Sequence, residues 1–225
     1  MTTTLPTLSE ILLLVPTDRE LQVILRHPEV SSLVESGLGT GLCGFGLIAS
    51  GIVTARKLDA RNPKAVILAG IAGALSAETE IGQTVEFSSV ISHGIGVGFG
   101  VEHQSARLMG WEPFPDSVLP VGEAIRLGWP NSTLVADQQL VSVCSASASD
   151  QERLTILSRF PGSVAEDMEG YAVAAACHLA AIPIRIVRGI SNLAGDRNHS
   201  RWKTGEALSS AAEQVASIIR RSASP

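Results

Sequence analysis

The sequence predicts an α/β fold: one domain over residues 1–225, with a mixed, mostly parallel central sheet flanked by helices on both faces. Three observations carry this expectation. Short β-branched apolar runs alternate with longer helix-like stretches, the pattern of a parallel sheet covered on both sides. The chain is 45% hydrophobic and only 17% charged, which calls for a large, well-buried core. Its 225 residues show neither a linker nor a repeat of fixed period, and that length suits a single α/β domain. Aromatic residues are 4% of the chain, so Ala, Val, Ile and Leu must fill the core.

Taken in order, Ile11–Val15 reads as a first buried strand, and Gly44–Ala60 as a helix of small residues. Ala65–Ala69 is a second short strand, and LAGIAGAL (Leu68–Leu75) reads as a glycine-rich turn following it. Ala72 and Gly73 in that turn would let a ligand approach the backbone closely, or simply pack on a neighbouring segment. Thr84–Ser92 alternates like a strand, and Thr133–Val143 does so less cleanly. Between them, Gly94–Pro120 is the longest loop-like stretch, and long loops in compact domains usually serve function. Ala148–Ser158 looks helical, Gly170–Ala181 is an alanine-rich helix, Ile182–Ile190 is a strand, and Lys203–Arg220 is a closing amphipathic helix. GTGLCG (Gly39–Gly44) fits a dinucleotide-binding glycine pattern. No clean strand precedes it and no acid follows in the required setting, so that reading is set aside.

Composition narrows the function class. Net charge is −5 with no Lys/Arg block, which argues against a nucleic-acid partner. The N-terminal stretch lacks a basic segment, and its apolar run is too short for a leader or a membrane span, so the expected location is the cytoplasm. Cys43, Cys144 and Cys177 sit among small or apolar residues without metal-ligand spacing, and are expected to be buried free thiols.

Two clusters of carboxylates invite chemistry. Glu20 follows the first strand in PTDREL, either as a first-turn acid favoured by the helix dipole or as a general base at the sheet edge. In AEDMEGYA (Ala165–Ala172), Glu169 falls where a strand hands over to a helix. A helix N-terminus favours an ionised carboxylate, whose two oxygens suit a ribose cis-diol; simple helix stabilisation, with Met168 as ordinary core, is the other reading.

Four motifs occur in an order that resembles the purine nucleoside phosphorylase/nucleosidase superfamily: CGFG (43–46), LAGIAGAL, AEDMEG and RGISNLAGD. The nearest resemblance is to the methylthioadenosine/S-adenosylhomocysteine nucleosidases and the futalosine hydrolases. The resemblance implies that Glu20 activates water, that Met168 packs on the ribose and that Glu169 binds its hydroxyls. It also implies that Ser191 supports the residue engaging purine N7, here Asn192 in place of the usual aspartate. Phe99 matches a pocket position of the family. No metal or organic cofactor is implied. A homo-oligomer is implied, because relatives complete the pocket for the 5′ substituent with a neighbouring subunit.

Within that superfamily, phosphorolysis needs a cationic phosphate site. Leu68 and Ile71 stand where the phosphorylases carry arginine and serine, and aliphatic side chains cannot hold a dianion. Water is therefore the expected nucleophile. Adenine protonated at N7 presents two donors, which suit a carboxylate. A 6-oxopurine protonated at N7 presents a donor and an acceptor, which suit an amide. Asn192 thus points to hypoxanthine, or guanine, rather than adenine as the leaving base, unless it merely shapes a strand end. Futalosine is such a nucleoside, with an aryl carboxylate at its 5′ end. The expected activity is its hydrolysis to hypoxanthine and dehypoxanthinylfutalosine in menaquinone biosynthesis. Arg107, Arg197 and Arg201 are the candidates for its carboxylate. A methylthioadenosine-type nucleosidase is the alternative, and a non-catalytic nucleoside-binding protein on the same fold a second one.

Overall fold

A computed structural model describes residues 6–115, 121–130 and 137–223. The first strand is β1 (Ile11–Val15), followed by α1 (Asp18–Leu25), α2 (Pro28–Glu35), β2 (Gly39–Leu42), α3 (Leu47–Arg61) and β3 (Ala65–Ala74). Next come β4 (Thr84–Phe87), β5 (Ser89–His93), β6 (Gly96–Val97), β7 (Gln104–Ser105), β8 (Ala124–Arg126) and β9 (Gln139–Val143). The chain closes with α4 (Asp150–Arg159), β10 (Ser163–Asp167), α5 (Gly170–Leu179), β11 (Ile184–Leu193) and α6 (Thr204–Ala223).

The main sheet runs β2-β1-β3-β10-β9-β5-β8, with β11 paired to β3 and β4. Pairings of β1 with β2 and β3, β11 with β3, and β9 with β5 and β10 are parallel. The sheet is therefore mixed and mostly parallel, as the sequence predicts. Alternation in β1 divides the core. Leu12 and Leu14 face the layer containing Tyr171, Val173 and Cys177 of α5, whereas Ile11, Leu13 and Val15 face Leu208, Ala211 and Val215 of α6. Every residue of β1 is buried, as expected for a strand with helices on both sides.

Several boundaries differ from the sequence reading, each for a tertiary reason. LAGIAGAL is not a turn: β3 continues through it to Ala74 because β11 lies alongside from Val66 to Ala74. The run ending at Ile190 likewise continues to Leu193, through a register irregularity at Ser191. Gly39–Leu42 is itself a strand against β1, although its sequence has no strand-like character. Thr84–Ser92 splits at Ser88, because β4 pairs with β11 while β5 pairs with β9. In Thr133–Val143 the strand is β9, and residues 133–136 lie outside the described residues. Cys43 and Cys177 are buried, but Cys144 is exposed just past the end of β9. No helix among the described residues is long and apolar enough to cross a membrane.

The feature that positions the site is a fork in β3. One edge of β3 is covered by β11 over its length. The other edge pairs with β1 only at Ala65–Leu68 and with β10 only at Gly73–Ala74. Between these contacts the strand edge is open to side chains from α1, β10 and β11.

Candidate active site

Glu20 enters the fork from α1. Thr17 caps that helix, its hydroxyl accepting from the Glu20 N–H at 3.3 Å. The spacing T-x-x-E would allow a reciprocal capping box, in which the glutamate returns to the cap's own N–H. Glu20 instead turns inward. Its Oε1 accepts from the Ile71 N–H of β3 at 3.1 Å, and its Oε2 accepts from the Thr17 hydroxyl at 2.6 Å. It is 8% exposed, so it is no solvated first-turn acid.

Arg188 on β11 meets Glu20 at Gly70. A Cβ on Gly70 would lie 2.3 Å from Arg188 Nη1 and 2.9 Å from Glu20 Oε1, so only glycine fits there. Arg188 is fully buried. Its Nε and Nη2 donate to Asp167 Oδ2 at 3.0 and 2.5 Å, and Nη2 also reaches Glu169 Oε2 at 3.3 Å. Its Nη1 is buried without a hydrogen-bond partner among the described residues. Burial opposes its charge, yet Asp167, Glu169 and Glu20 together hold its pKa above the ordinary value. One guanidinium thus sits among three carboxylates, with one nitrogen, Nη1, and its two N–H groups unspent. A buried unpaired donor costs about 1–3 kcal/mol, so an ordered water or substrate oxygen is its natural partner.

Asp167 is the fixed member of the cluster. Besides Arg188, it accepts from the Ser142 hydroxyl at 2.5 Å and the Gly170 N–H at 2.9 Å. Asp167 therefore caps the start of α5 and holds Arg188. Glu169 does neither in the expected way. It occupies the N-cap position of α5 but makes no side-chain cap bond there. Its Oε1 accepts from the Gly46 N–H at 3.0 Å, at the mouth of α3. Burial pushes the Glu169 carboxyl up to about 7, against the pull of Arg188 and the Gly46 N–H, so the helix terminus alone does not set its charge. Glu166, the neighbouring acid, faces away from the cluster and accepts from the Ser147 N–H and hydroxyl at 2.8 and 2.7 Å.

At the end of β11 the bulge re-aims Ser191. The Ser191 hydroxyl donates to Asn192 Oδ1 at 2.7 Å and lies 3.3 Å from the Ala72 carbonyl. Asn192 Nδ2 donates to the Leu193 carbonyl at 2.8 Å. One acceptor site and one N–H of the amide remain. Ser191 thus contacts Asn192 directly through its hydroxyl. Ala72 contributes its carbonyl to this arrangement. Gly73 packs closely on the next segment, where a Cβ would lie 3.3 Å from the Ala194 Cα.

Met168 is half-buried against Leu75, Val141, Ile156 and Ala194, between Asp167 and Glu169 in the chain. Phe99 is 93% exposed, so it lines no enclosed pocket of this chain. Arg107 is exposed in the 94–115 excursion, which carries the β6-β7 ribbon. A polar groove of about 550 Å³, lined in part by His27, Thr84 and Glu213, lies on the α6 side of the sheet, away from the carboxylate cluster. Among the described residues, no group of three or more His, Cys, Asp or Glu side chains is placed to hold a metal ion.

Sequence reasoning singled out Glu20, Glu169, Ser191 and Asn192, but it gave no part to Arg188 or to Asp167, which the structure shows bound to each other. A signal was present: Arg185 and Arg188 both interrupt an otherwise apolar strand run, and a buried charge demands partners.

Known proteins resemble this chain in sequence and in fold. A methylthioadenosine/S-adenosylhomocysteine nucleosidase from Staphylococcus haemolyticus is 29% identical, over 79% of this chain and 78% of the relative. A futalosine hydrolase from Streptomyces coelicolor is 27% identical, over 78% of each chain. The native futalosine hydrolase structure from Helicobacter pylori superposes with a TM-score of 0.75 at 17% identity, covering 94% of this chain and 97% of the other. The phosphorylase superfamily model matches residues 22–224, beginning just after Glu20. With that match spanning nearly the whole sheet and its helices, the chain belongs to the phosphorylase superfamily.

Proposed function

We propose that this protein is an N-ribosyl hydrolase acting on purine nucleosides, with futalosine as its substrate and hypoxanthine as the released base. The observation that carries the hydrolase reading is the cluster at Gly70: a carboxylate and an unspent guanidinium nitrogen converge on one small space.

The chemistry follows from this chain's own groups. Glycosidic cleavage passes through an oxocarbenium-like ribosyl centre with negative charge moving onto the base. Glu20 takes a proton from the attacking water, whose orientation Arg188 Nη1 can fix by donating to its oxygen. Glu169 accepts from the ribose hydroxyls, for which it must be ionised. Asn192 has one donor and one acceptor left, the complement of O6 and N7–H on a departing 6-oxopurine whose N7 takes its proton from solvent, because an amide has none to give. Leu68 is fully buried, and Ile71 offers only an N–H, already given to Glu20; neither supplies a phosphate cradle.

A methylthioadenosine-type nucleosidase is the second reading, favoured by the name most of the relatives carry. The deciding measurement is free-base release from futalosine, inosine, methylthioadenosine and adenosylhomocysteine, with and without phosphate. The expected result is phosphate-independent hypoxanthine release from futalosine. Faster adenine release from methylthioadenosine would replace futalosine by the second reading. Strict phosphate dependence would overturn hydrolysis altogether.

The proposal includes a homo-oligomer acting as one-domain subunits in the cytoplasm. Phe45, Ile48 and Ile52 expose an apolar stripe beside Gly46, whose N–H holds Glu169. Phe99 and Val101 expose another at 93% and 79%. Such paired patches suit burial against a second copy, with Phe99 entering its neighbour's site. A monomer by sedimentation at the assay concentration would remove Phe99 from the site.

A further inference from the structure

We propose that the segment Asp196–Trp202 forms a cationic aromatic cage for an aryl carboxylate, with Arg197 as its anion-binding side chain. The proposal names the group that holds the 5′ arm of the substrate, and it rests on the futalosine reading for that arm's identity.

The segment is built onto the site rather than hanging free. The Lys203 N–H donates to the Ser191 carbonyl at 2.8 Å, and the Asp196 N–H donates to the Leu193 carbonyl at 3.0 Å. Both ends of the loop are therefore tied to the strand end that carries Asn192. Trp202 is half-buried, and its indole N–H donates to the Asp196 carbonyl at 3.0 Å, which fixes the ring. The His199 ring lies 4.4 Å from the Trp202 ring, and the Arg197 guanidinium lies 5.5 Å over it. A planar aromatic acid could stack on such a surface while its carboxylate meets the guanidinium.

The three candidate arginines are not equivalent. Arg201 is engaged by Asp196 at 2.7 Å and serves to shape the loop. Arg107 lies exposed in the excursion around the β6-β7 ribbon, without a comparable tie to Ser191 or Asn192. Arg197 is exposed, forms no ion pair among the described residues, and is already oriented by an aromatic face. It has charge to offer and little freedom to lose.

The test uses futalosine and its carboxylate methyl ester, which share base, sugar and arm. Arg197→Met should raise KM for futalosine about tenfold, the loss of one charge-assisted contact, while changing the ester's KM and both kcat values less than about twofold. Trp202→Leu should raise KM for both substrates. An equal effect of Arg197→Met on acid and ester would overturn the assignment, as would loss of the acid preference in Arg107→Met or Arg201→Met instead. Binding of free 3-acetylbenzoate, followed by ligand-observed NMR, reads the cage without turnover. Saturable binding that weakens in Arg197→Met supports the cage even if futalosine is not cleaved, in which case only the proposed function falls. Absence of that binding, or cleavage of futalosine with no selective effect of Arg197→Met, removes the cage and leaves the hydrolase reading standing.

Discussion

Two buried arginines on one strand have opposite fates. Arg185 and Arg188 are both in β11, three positions apart, so they project from opposite faces of the sheet. Arg185 is 5% exposed. It pairs with Glu86, lies 5.7 Å over the Trp129 ring, and Glu86 in turn accepts from the Gln214 amide at 3.0 Å. That set ties β11 to β4 and α6. Arg188 is 0% exposed and has three carboxylates about it, yet keeps one nitrogen unspent. Burial alone does not separate a structural ion pair from a site. Completeness does: a matched pair holds the fold, whereas surplus acids around an orphaned donor mark groups held ready for a ligand.

The sharpest way to test that contrast begins beside Arg188. Glu20→Gln keeps the shape and removes the base. It should lower kcat by about 10²–10⁴, with little change in KM. Near-normal turnover by the folded variant would mean that Glu20 only braces Ile71.

Next comes the pair itself. Arg188→Met should lower kcat/KM by about 10²–10³ and destabilise the protein by about 3–5 kcal/mol, because buried carboxylates lose their counter-ion. Arg185→Met should cost stability on the same scale while leaving kcat/KM of the folded enzyme near normal. Thermal denaturation and initial rates on both variants decide the matter; equal losses of activity per folded molecule would erase the distinction.

Asn192→Asp is a smaller change. It should shift the preference between a 6-oxopurine and a 6-aminopurine with the same 5′ arm by one to two powers of ten, the worth of about 1–3 kcal/mol for one mismatched buried group. An equal loss on both substrates would make Asn192 a strand-end residue and no more.

The least change is in pH dependence. The Glu169 carboxyl holds its proton up to about 7 in the fold, against 4.5 as its ordinary value. Its stabilising contribution is therefore complete below 4.5 and is lost as pH rises through about 7. Activity runs the other way, because the ionised form serves the ribose, so kcat/KM should climb toward neutrality. In Glu169→Gln the stability slope between these values should flatten. A slope identical to that of the parent protein would assign it to other groups.

Much of the fold could be read directly. Ile11–Val15 and the helices at Gly170–Leu179 and Thr204–Ala223 lie within a few residues of their sequence-read bounds. Their burial periodicity is local, and local patterns survive in a one-dimensional reading. Glu20 and Glu169 were recognisable because acids beside strand ends are unusual company for apolar runs. The resemblance of four short motifs supplied their order and the support of Asn192 by Ser191.

The rest waited on contacts between distant parts of the chain. Gly39–Leu42 is a strand only because β1 offers it an edge. Gly70 and Gly73 look alike in sequence, yet one makes room for Arg188 and Glu20 and the other for Ala194. The partners of Arg188 come from β10 and the turn into α5, and the N–H that aims Glu20 comes from β3, 51 residues away. Phe99, expected in a pocket, faces outward. The sequence by itself determined which segments are buried and which acids are available, because periodicity and residue chemistry are local. Only the tertiary structure decided which charge meets which, and where a donor goes unspent, because desolvation and pairing depend on segments that the chain brings together only when it folds.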